Sequence, residues 1–372
     1  MRYKLLLIIT IISILITSCS ESTEPSNEEF SVIDQKFFKN FFANKIIKTS
    51  DSCLVMAGND SVYTPTIIKL NIEGNELWRK QIQPIDSPRF TNNMNSLVET
   101  ADKGFLALFE SYSDTRLFKL DGNGNMVWEK KLGSADQVKV SLDSENNIII
   151  VDRMMVQKLD KNGNVVWYGF YFDEFAYIYG DAQFWVYSVY DSTVKPNGDI
   201  VIIYNSPICD LVRIFIDKDG NFISGSHYYV DIKTNAMLYS EGNYNYILGC
   251  YEDMNSEKQV FLMQLYNYSS DGVSNTFAEL AGFDDYFESI NKTESGDIIV
   301  TSHGNIIMNI DCFHPTLNWH YTINDLDSYA YPRTYDTIEI NTNQFATILY
   351  VGRIIGSETE FEGTILRLFQ KN

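Results

Sequence analysis

One phrase recurs along this chain and constrains its fold more than any other feature. Lys69-Leu70-Asn71 is followed by Gly74-Asn75 and then Trp78. Lys119-Leu120-Asp121 leads to Gly124-Asn125 and Trp128, and Lys158-Leu159-Asp160 to Gly163-Asn164 and Trp167. The three copies share the pattern K-L-N/D-x-x-G-N-x-x-W. A fourth, Ile216-Asp217 to Gly220-Asn221, has Ser224 at the tryptophan position, and a worn copy runs from Ile310-Asp311 to Trp319. The first four glycines lie 50, 39 and 57 residues apart. A constant phrase at variable intervals is the signature of a repeated supersecondary unit with elastic loops. Alternating apolar runs flank each copy, and the Asn/Asp-x-x-Gly-Asn between them tolerates left-handed backbone. Each copy therefore predicts a β-hairpin.

A second hairpin precedes the phrase in each unit. Thr100 to Gly104 stands before Phe105-Leu106-Ala107-Leu108, Asp143 to Asn147 before Ile148-Ile149-Ile150-Val151, Lys195 to Asp199 before Ile200-Val201-Ile202-Ile203, and Glu294 to Asp297 before Ile298-Ile299-Val300. Four strands in about 40–50 residues make one blade of an all-β propeller. Units fall near 38–83, 91–133, 134–172, 184–230, 232–282 and 286–324, with a seventh from Thr334. The seventh stops after three strands, at Thr364 to Phe369, where the last hairpin should turn. Ser31 to Phe37 has the pattern of the missing fourth strand, so the N-terminal strand is expected to complete the last blade and close the ring, which removes exposed sheet edges. Seven four-stranded blades over residues 28–372 take about 49 residues each. Six or eight blades stay open, because the fifth unit is badly worn.

The phrase resembles the tryptophan-docking repeat of quinoprotein-like propellers, in which an Asp, a Gly and a Trp recur in each blade. Here the step from Asp121 to Gly124 is one residue shorter. The chain resembles more closely the WD40-like propeller lipoproteins of Bacteroidota, over most of its length. That resemblance implies a fold and not a ligand. Quinoprotein dehydrogenases carry eight longer blades and a vicinal cysteine pair. Neither is visible here, and no cofactor is expected.

The N-terminus carries an address. Arg2 and Lys4 precede the apolar run Leu5 to Thr17, broken only by Thr10 and Ser13. At 13 residues the run is too short to cross a bilayer as a helix and suits a signal peptide. Leu15-Ile16-Thr17-Ser18-Cys19 resembles a bacterial lipobox. The resemblance implies removal of residues 1–18, diacylglycerol on the Cys19 sulfur and acylation of the new N-terminus, a durable multi-chain anchor. Residues 19–27 and the acids after them hold no large apolar side chain and predict a flexible tether. Acids close behind the lipidated cysteine resemble the surface-export signal of Bacteroidota lipoproteins, which implies an outer-membrane, cell-surface location; the periplasmic leaflet is the alternative.

Charge narrows the partners. The chain has 29 Lys and Arg against 49 Asp and Glu, a net charge of −20. Nucleic-acid backbones call for a basic stripe, so no nucleic-acid partner is expected. A monomer at the membrane is.

Catalytic and metal signatures are weak. Asp121-x-Asn123-x-Asn125 and its copy at Asp160 open like an EF-hand loop, but Leu132 and Tyr171 stand where the closing Glu should be, so they read as turns. Cys53 and Cys250 read as small core residues on second strands, and Cys209 and Cys312 as loop residues. His227, His303, His314 and His320 make no triad or zinc motif, and no metal site is expected. Paired acids at Asp173-Glu174 and Asp284-Asp285 are expected by chance among 49 acids. The unusual stretch is 168–190, with eleven aromatic residues. Flat aromatics on a loop suit sugar faces or an apolar partner, and Tyr177, Tyr179, Phe184 and Trp185 are the candidate ligand-binding residues. Packing between blades is the competing reading. The expected function is a non-catalytic binding or scaffold module for a glycan or an envelope protein. The alternatives are an enzyme acting on extracellular polysaccharide, a glycosidase or lyase, and a purely structural lipoprotein.

Overall fold

The computed structural model describes residues 29–60, 64–82, 94–110, 115–133, 138–153, 155–171, 188–206, 210–228, 237–241, 244–252, 258–266, 276–280, 287–302, 305–311, 316–323, 330–355 and 358–372. Among them, the strands form seven four-stranded antiparallel sheets. The first holds Phe41–Lys48, Leu54–Asp60, Pro65–Leu70 and Glu76–Gln81, and the second Met94–Glu99, Phe105–Phe109, Thr115–Leu120 and Met126–Gly133. The third holds Lys139–Leu142, Ile148–Val151, Val156–Leu159 and Val165–Gly169, and the fourth Ser188–Val194, Ile200–Ser206, Asp210–Ile216 and Phe222–Tyr228. The fifth holds Met237–Glu241, Tyr244–Glu252, Lys258–Tyr266 and Thr276–Leu280, and the sixth Phe287–Lys292, Ile298–Ser302, Ile306–Asp311 and Thr316–Thr322. The seventh joins Ala330–Asn341, Gln344–Ile355 and Glu358–Lys371 to the N-terminal strand Phe30–Lys39.

The register of that N-terminal strand matches the sequence expectation. Ser31 lies opposite Gln370, Phe37 opposite Ile365 and Phe38 opposite Thr364, with one irregularity between Val32 and Asp34. The Asn372 N–H donates to the Glu29 carbonyl at 2.9 Å, which clasps the two ends of the ladder together. Phe30 carries the apolar cover: its ring centroid is 4.8 Å from Trp319, 5.0 Å from Tyr321 and 5.7 Å from Phe369.

Second and third strands read as near-continuous apolar runs because they are buried on both faces. Leu54, Val55, Met56 and Ala57 are buried, as are Phe105 to Phe109 and Ile148 to Val151. Apolar layers fill the spaces between neighbouring sheets. Val55, Ala57 and Ile67 of the first sheet meet Phe105, Ala107 and Phe118 of the second. Similar layers join the second to the third, the third to the fourth, the sixth to the seventh, and the seventh back to the first.

The recurring phrase now has a residue-by-residue account. Its first Asp is an internal cap: Asp121 Oδ1 accepts the N–H groups of Asn123 and Asn125 at 2.9 and 2.8 Å, and Oδ2 accepts the Asn125 amide at 3.0 Å. Asp160 and Asp217 repeat this bonding, so the EF-hand-like acids serve their own turns. The Gly takes positive φ, +77° at Gly124 and +85° at Gly163. It also leaves room for a neighbour. A Cβ on Gly124 would come within 2.8 Å of the Trp78 ring, and one on Gly220 within 2.9 Å of Trp167; Gly163 faces Trp128 at 3.4 Å. Each tryptophan is half-buried and docks on the turn of the following sheet. The phrase's Lys is buried and reaches back to the other hairpin of its own sheet: Lys69 to Asp51 at 2.7 Å, Lys119 to Asp102 at 2.8 Å, Lys158 to Asp143 at 2.9 Å.

The other hairpins are five-residue turns of one design. The N–H of the fourth residue bonds the carbonyl of the first, in Thr49–Ser52, Thr100–Lys103 and Asp143–Asn146 alike. The fourth residue has positive φ: Ser52 at 59°, Lys103 at 62°, Asn146 at 63°. Cys53 corrects one expectation. It closes the first of these turns rather than sitting in a second strand, and it is half-buried. Burial pushes its thiol pKa up.

Candidate functional site

Both hairpin families lie at one end of the sheets. The opposite end gathers the starts of the innermost strands and the connections between sheets, and the longest of these, 83–93 and 172–187, lie outside the described residues. So do Cys19, Tyr177, Tyr179, Phe184 and Trp185, the acid pairs at 173–174 and 284–285, and Cys209, Cys312, His303 and His314. Cys250 lies on a second strand, as expected, and His320 on an outer one. Of the aromatic stretch 168–190, four rings are described. Tyr168 and Phe170 are exposed, while Tyr171 and Tyr190 are buried. The Tyr171 hydroxyl donates to the Gly220 carbonyl at 2.8 Å.

Innermost strands share a local device. One extra residue is inserted near the start of the strand in the first, second, fourth, sixth and seventh sheets: Asn44, Asn95, Tyr190, Glu288 and Tyr335. Such bulges re-aim side chains. The residue after the bulge ties sheets together: Ser96 Oγ accepts from the Val140 N–H at 3.3 Å, and Asp336 Oδ2 from Ile46 at 3.1 Å.

At three of these starts the bulges assemble a cluster that sequence reasoning missed. Glu288 of the sixth sheet accepts from Arg333 Nε of the seventh at 3.1 Å, and a second guanidinium nitrogen bonds the same oxygen. The Arg333 guanidinium lies 4.9 Å from the Tyr335 ring centroid, a cation–π contact. Tyr335 lies 3.9 Å from Tyr350, and Tyr350 meets Phe42 of the first sheet edge-on at 5.8 Å. All three rings are half-buried. Burial raises the pKa of Tyr335 and pushes that of Tyr350 well above the usual phenol value. Both phenols therefore remain proton donors at neutral pH. Burial works against the charge on Arg333, but its bond to Glu288 outweighs that and raises its pKa. The arrangement offers flat apolar faces beside hydroxyl donors and a paired Arg–Glu that can both donate and accept. The residues come from segments 42, 288 and 333–350. Only the bulge register brings them together, and the one signal in the sequence is Arg333-Thr334-Tyr335-Asp336, polar and aromatic where an inner strand could be apolar.

Ends of the same three inner strands line an open pocket of about 360 Å³. Its polar groups already serve each other. Lys48 Nζ is 2.7 Å from Glu294 and 2.6 Å from the Ile340 carbonyl, and the Glu294 N–H donates to Glu339 at 2.5 Å. Lys48 belongs to the first sheet and Glu294 follows the inner strand of the sixth, so this network links those two sheets through Glu339 and Ile340 of the seventh.

The sequence matches no protein-family model and no curated protein. Solved structures are informative about fold. The WD40 β-propeller domain of Doa1 superimposes with a TM-score of 0.60 at 9% identity, over 93% of this chain and 98% of that one. The β-propeller domain of Myceliophteria thermophila Cps50 (Swd1) gives 0.59 at 10% identity, over 92% and 100%. At such identity the likeness speaks for architecture alone: the chain folds as a WD40-like β-propeller of four-stranded antiparallel blades.

Proposed function

We propose that this propeller is a non-catalytic binding module whose ligand, a neutral glycan, sits on the end where the inner strands begin. Its seven sheets are taken as the blades of one closed ring. In this reading the protein is a monomer, held through acylated Cys19 at the outer membrane and turned to the cell surface, and the first 29 residues supply the support for that address. The observation that carries the ligand is the cluster of Phe42, Tyr335, Tyr350, Arg333 and Glu288 across three sheets. Aromatic faces suit the C–H faces of sugars. The phenols and the charge-neutral Arg–Glu pair suit hydroxyl groups, with no net charge to discriminate against a neutral ligand. The test is calorimetric titration with a panel of neutral oligosaccharides of four to six sugars. Tyr335→Ala and Arg333→Ala should each weaken binding about tenfold or more, one lost hydrogen-bonded or stacked contact apiece. Wild-type affinity in both variants rules this end out. Release of new reducing ends in the same mixtures would instead favour the polysaccharide-acting enzyme.

A further inference from the structure

Outer strands of a propeller are sheet edges, and natural edges are guarded by charge. Four of the described outer strands follow the rule: Glu76–Gln81 carries Glu76, Arg79 and Lys80, Met126–Gly133 carries Glu129, Lys130 and Lys131, Phe30–Lys39 carries Asp34, Lys36 and Lys39, and Thr276–Leu280 carries Glu279. Three described outer strands carry no Asp, Glu, Lys or Arg: Val165–Gly169 of the third sheet, Phe222–Tyr228 of the fourth and Thr316–Thr322 of the sixth. What sets the third-sheet strand apart is its run of exposed large apolar side chains, where the other two show Ile223 alone. Among the described residues the ladder of Val165–Gly169 is to Val156–Leu159 alone, and the strand ends its sheet. Val165, Val166, Tyr168 and Phe170 are 50%, 56%, 64% and 57% exposed. The contrast holds position by position. One and three residues beyond the docking tryptophan stand Arg79 and Gln81 in the first sheet, Glu129 and Lys131 in the second, but Tyr168 and Phe170 in the third.

The strand is also held rigid from behind. Trp167 lies on Gly220 with its Nε1–H on the Lys218 carbonyl at 3.2 Å, and Tyr171 bonds the Gly220 carbonyl. Alternation then turns Tyr168 and Phe170 the other way, as an edge-on pair 6.1 Å apart. We infer that Val165–Gly169 is a docking edge that accepts an extended, uncharged peptide segment of a partner protein as a fifth strand. Main-chain hydrogen bonds supply the affinity in that mode, and alternate side chains the choice of partner. Area argues for a peptide over a second copy of this chain. The strand and its four side chains offer on the order of 400–500 Å², short of the ~800 Å² per partner of a stable interface. The absence of charge selects an apolar, β-branched or aromatic segment.

The experiment follows amide hydrogen exchange at Val165–Gly169 in the intact protein. The probe is an end-blocked eight-residue peptide alternating Val, Thr and Tyr; its control is the same peptide N-methylated at every residue, which leaves neither of its edges a donor. The expected result is at least tenfold slower exchange at the amides left free by the ladder to Val156–Leu159, no slowing with the N-methylated peptide, and none in Tyr168→Arg/Phe170→Gln, which installs the first sheet's pair. Unchanged exchange under saturating probe overturns the inference, as does equal slowing by both peptides. Protection already complete without peptide would mean that the chain covers its own edge. Protection that grows with protein concentration would mean a second copy. Either also overturns it. The wild-type arms decide the matter even where the double variant folds poorly.

Discussion

Glycine at the phrase turns answers two demands at once, and three positions separate them. Gly133 has φ +87° and nothing within 4 Å of a built Cβ, so Gly133→Ala meets backbone strain alone, about 1 kcal/mol. Gly163 adds ordinary contact with Trp128, and Gly124 adds a clash with Trp78. We expect melting temperatures to fall in the order Gly124→Ala more than Gly163→Ala, with Gly133→Ala least. Equal losses at all three would mean that tryptophan docking places no demand on the turn. The lysine of the phrase makes a pH prediction. Bonding to Lys69 holds Asp51 at about 2, and bonding to Lys119 and Thr100 overcomes burial to hold Asp102 at about 2. Both values lie below those of an unfolded chain, so the unfolded state takes up protons first on acidification. Their stabilisation is complete above about pH 4 and is lost as pH falls from there towards 2. Both carboxylates are largely solvent-exposed, so each contributes well under about 1 kcal/mol. Asp102→Asn should lower the urea midpoint slightly at pH 7 and leave it unchanged at pH 2; an equal loss at both would assign the effect to packing.

Strands carry their own test. Removing residues 28–37 would leave Glu358–Lys371 as a bare edge and strip Phe30 from Trp319, Tyr321 and Phe369. The deletion variant is expected to aggregate or to lose its cooperative transition in calorimetry, and an unchanged melting temperature would refute ring closure by this strand. Phe30→Ala alone should cost up to about 3 kcal/mol, the low end for a buried Phe. At this scale the sequence is legible because the repeat writes local chemistry: Asp121 caps, Gly124 turns, Trp128 docks, and the apolar runs between them can only be sheet interior. The likeness of the run Ser31 to Phe37 to the last strand of the repeat even places that run against Thr364 to Phe369, and the register agrees. The candidate site was not legible in the same way. Glu288, Arg333 and Phe42 meet through single-residue bulges on three separate strands, and a bulge has no sequence signature. Aromatic enrichment points to 168–190, where Tyr171 and Tyr190 are interior and Tyr168 and Phe170 exposed, while the candidates Tyr177, Tyr179, Phe184 and Trp185 lie outside the described residues.

For the whole molecule, the address and the ligand end are separable. Cys19→Ala should abolish acylation and leave unprocessed precursor; a variant that still partitions into detergent as the wild type does would refute the lipid anchor. Position matters too, because Phe30 enters its sheet at the hairpin end, next to Lys371 and the Asn343 turn, away from Arg333 and Tyr335. A pull on the chain ahead of Phe30, resisted by a ligand held at the far end, runs along the axis of the Phe30–Lys39 strand. Its hydrogen bonds to Glu358–Lys371 stand perpendicular to that axis. Such a load shears the whole ladder together instead of peeling it bond by bond, so the seam that joins the two chain ends is also the element best oriented to bear tension.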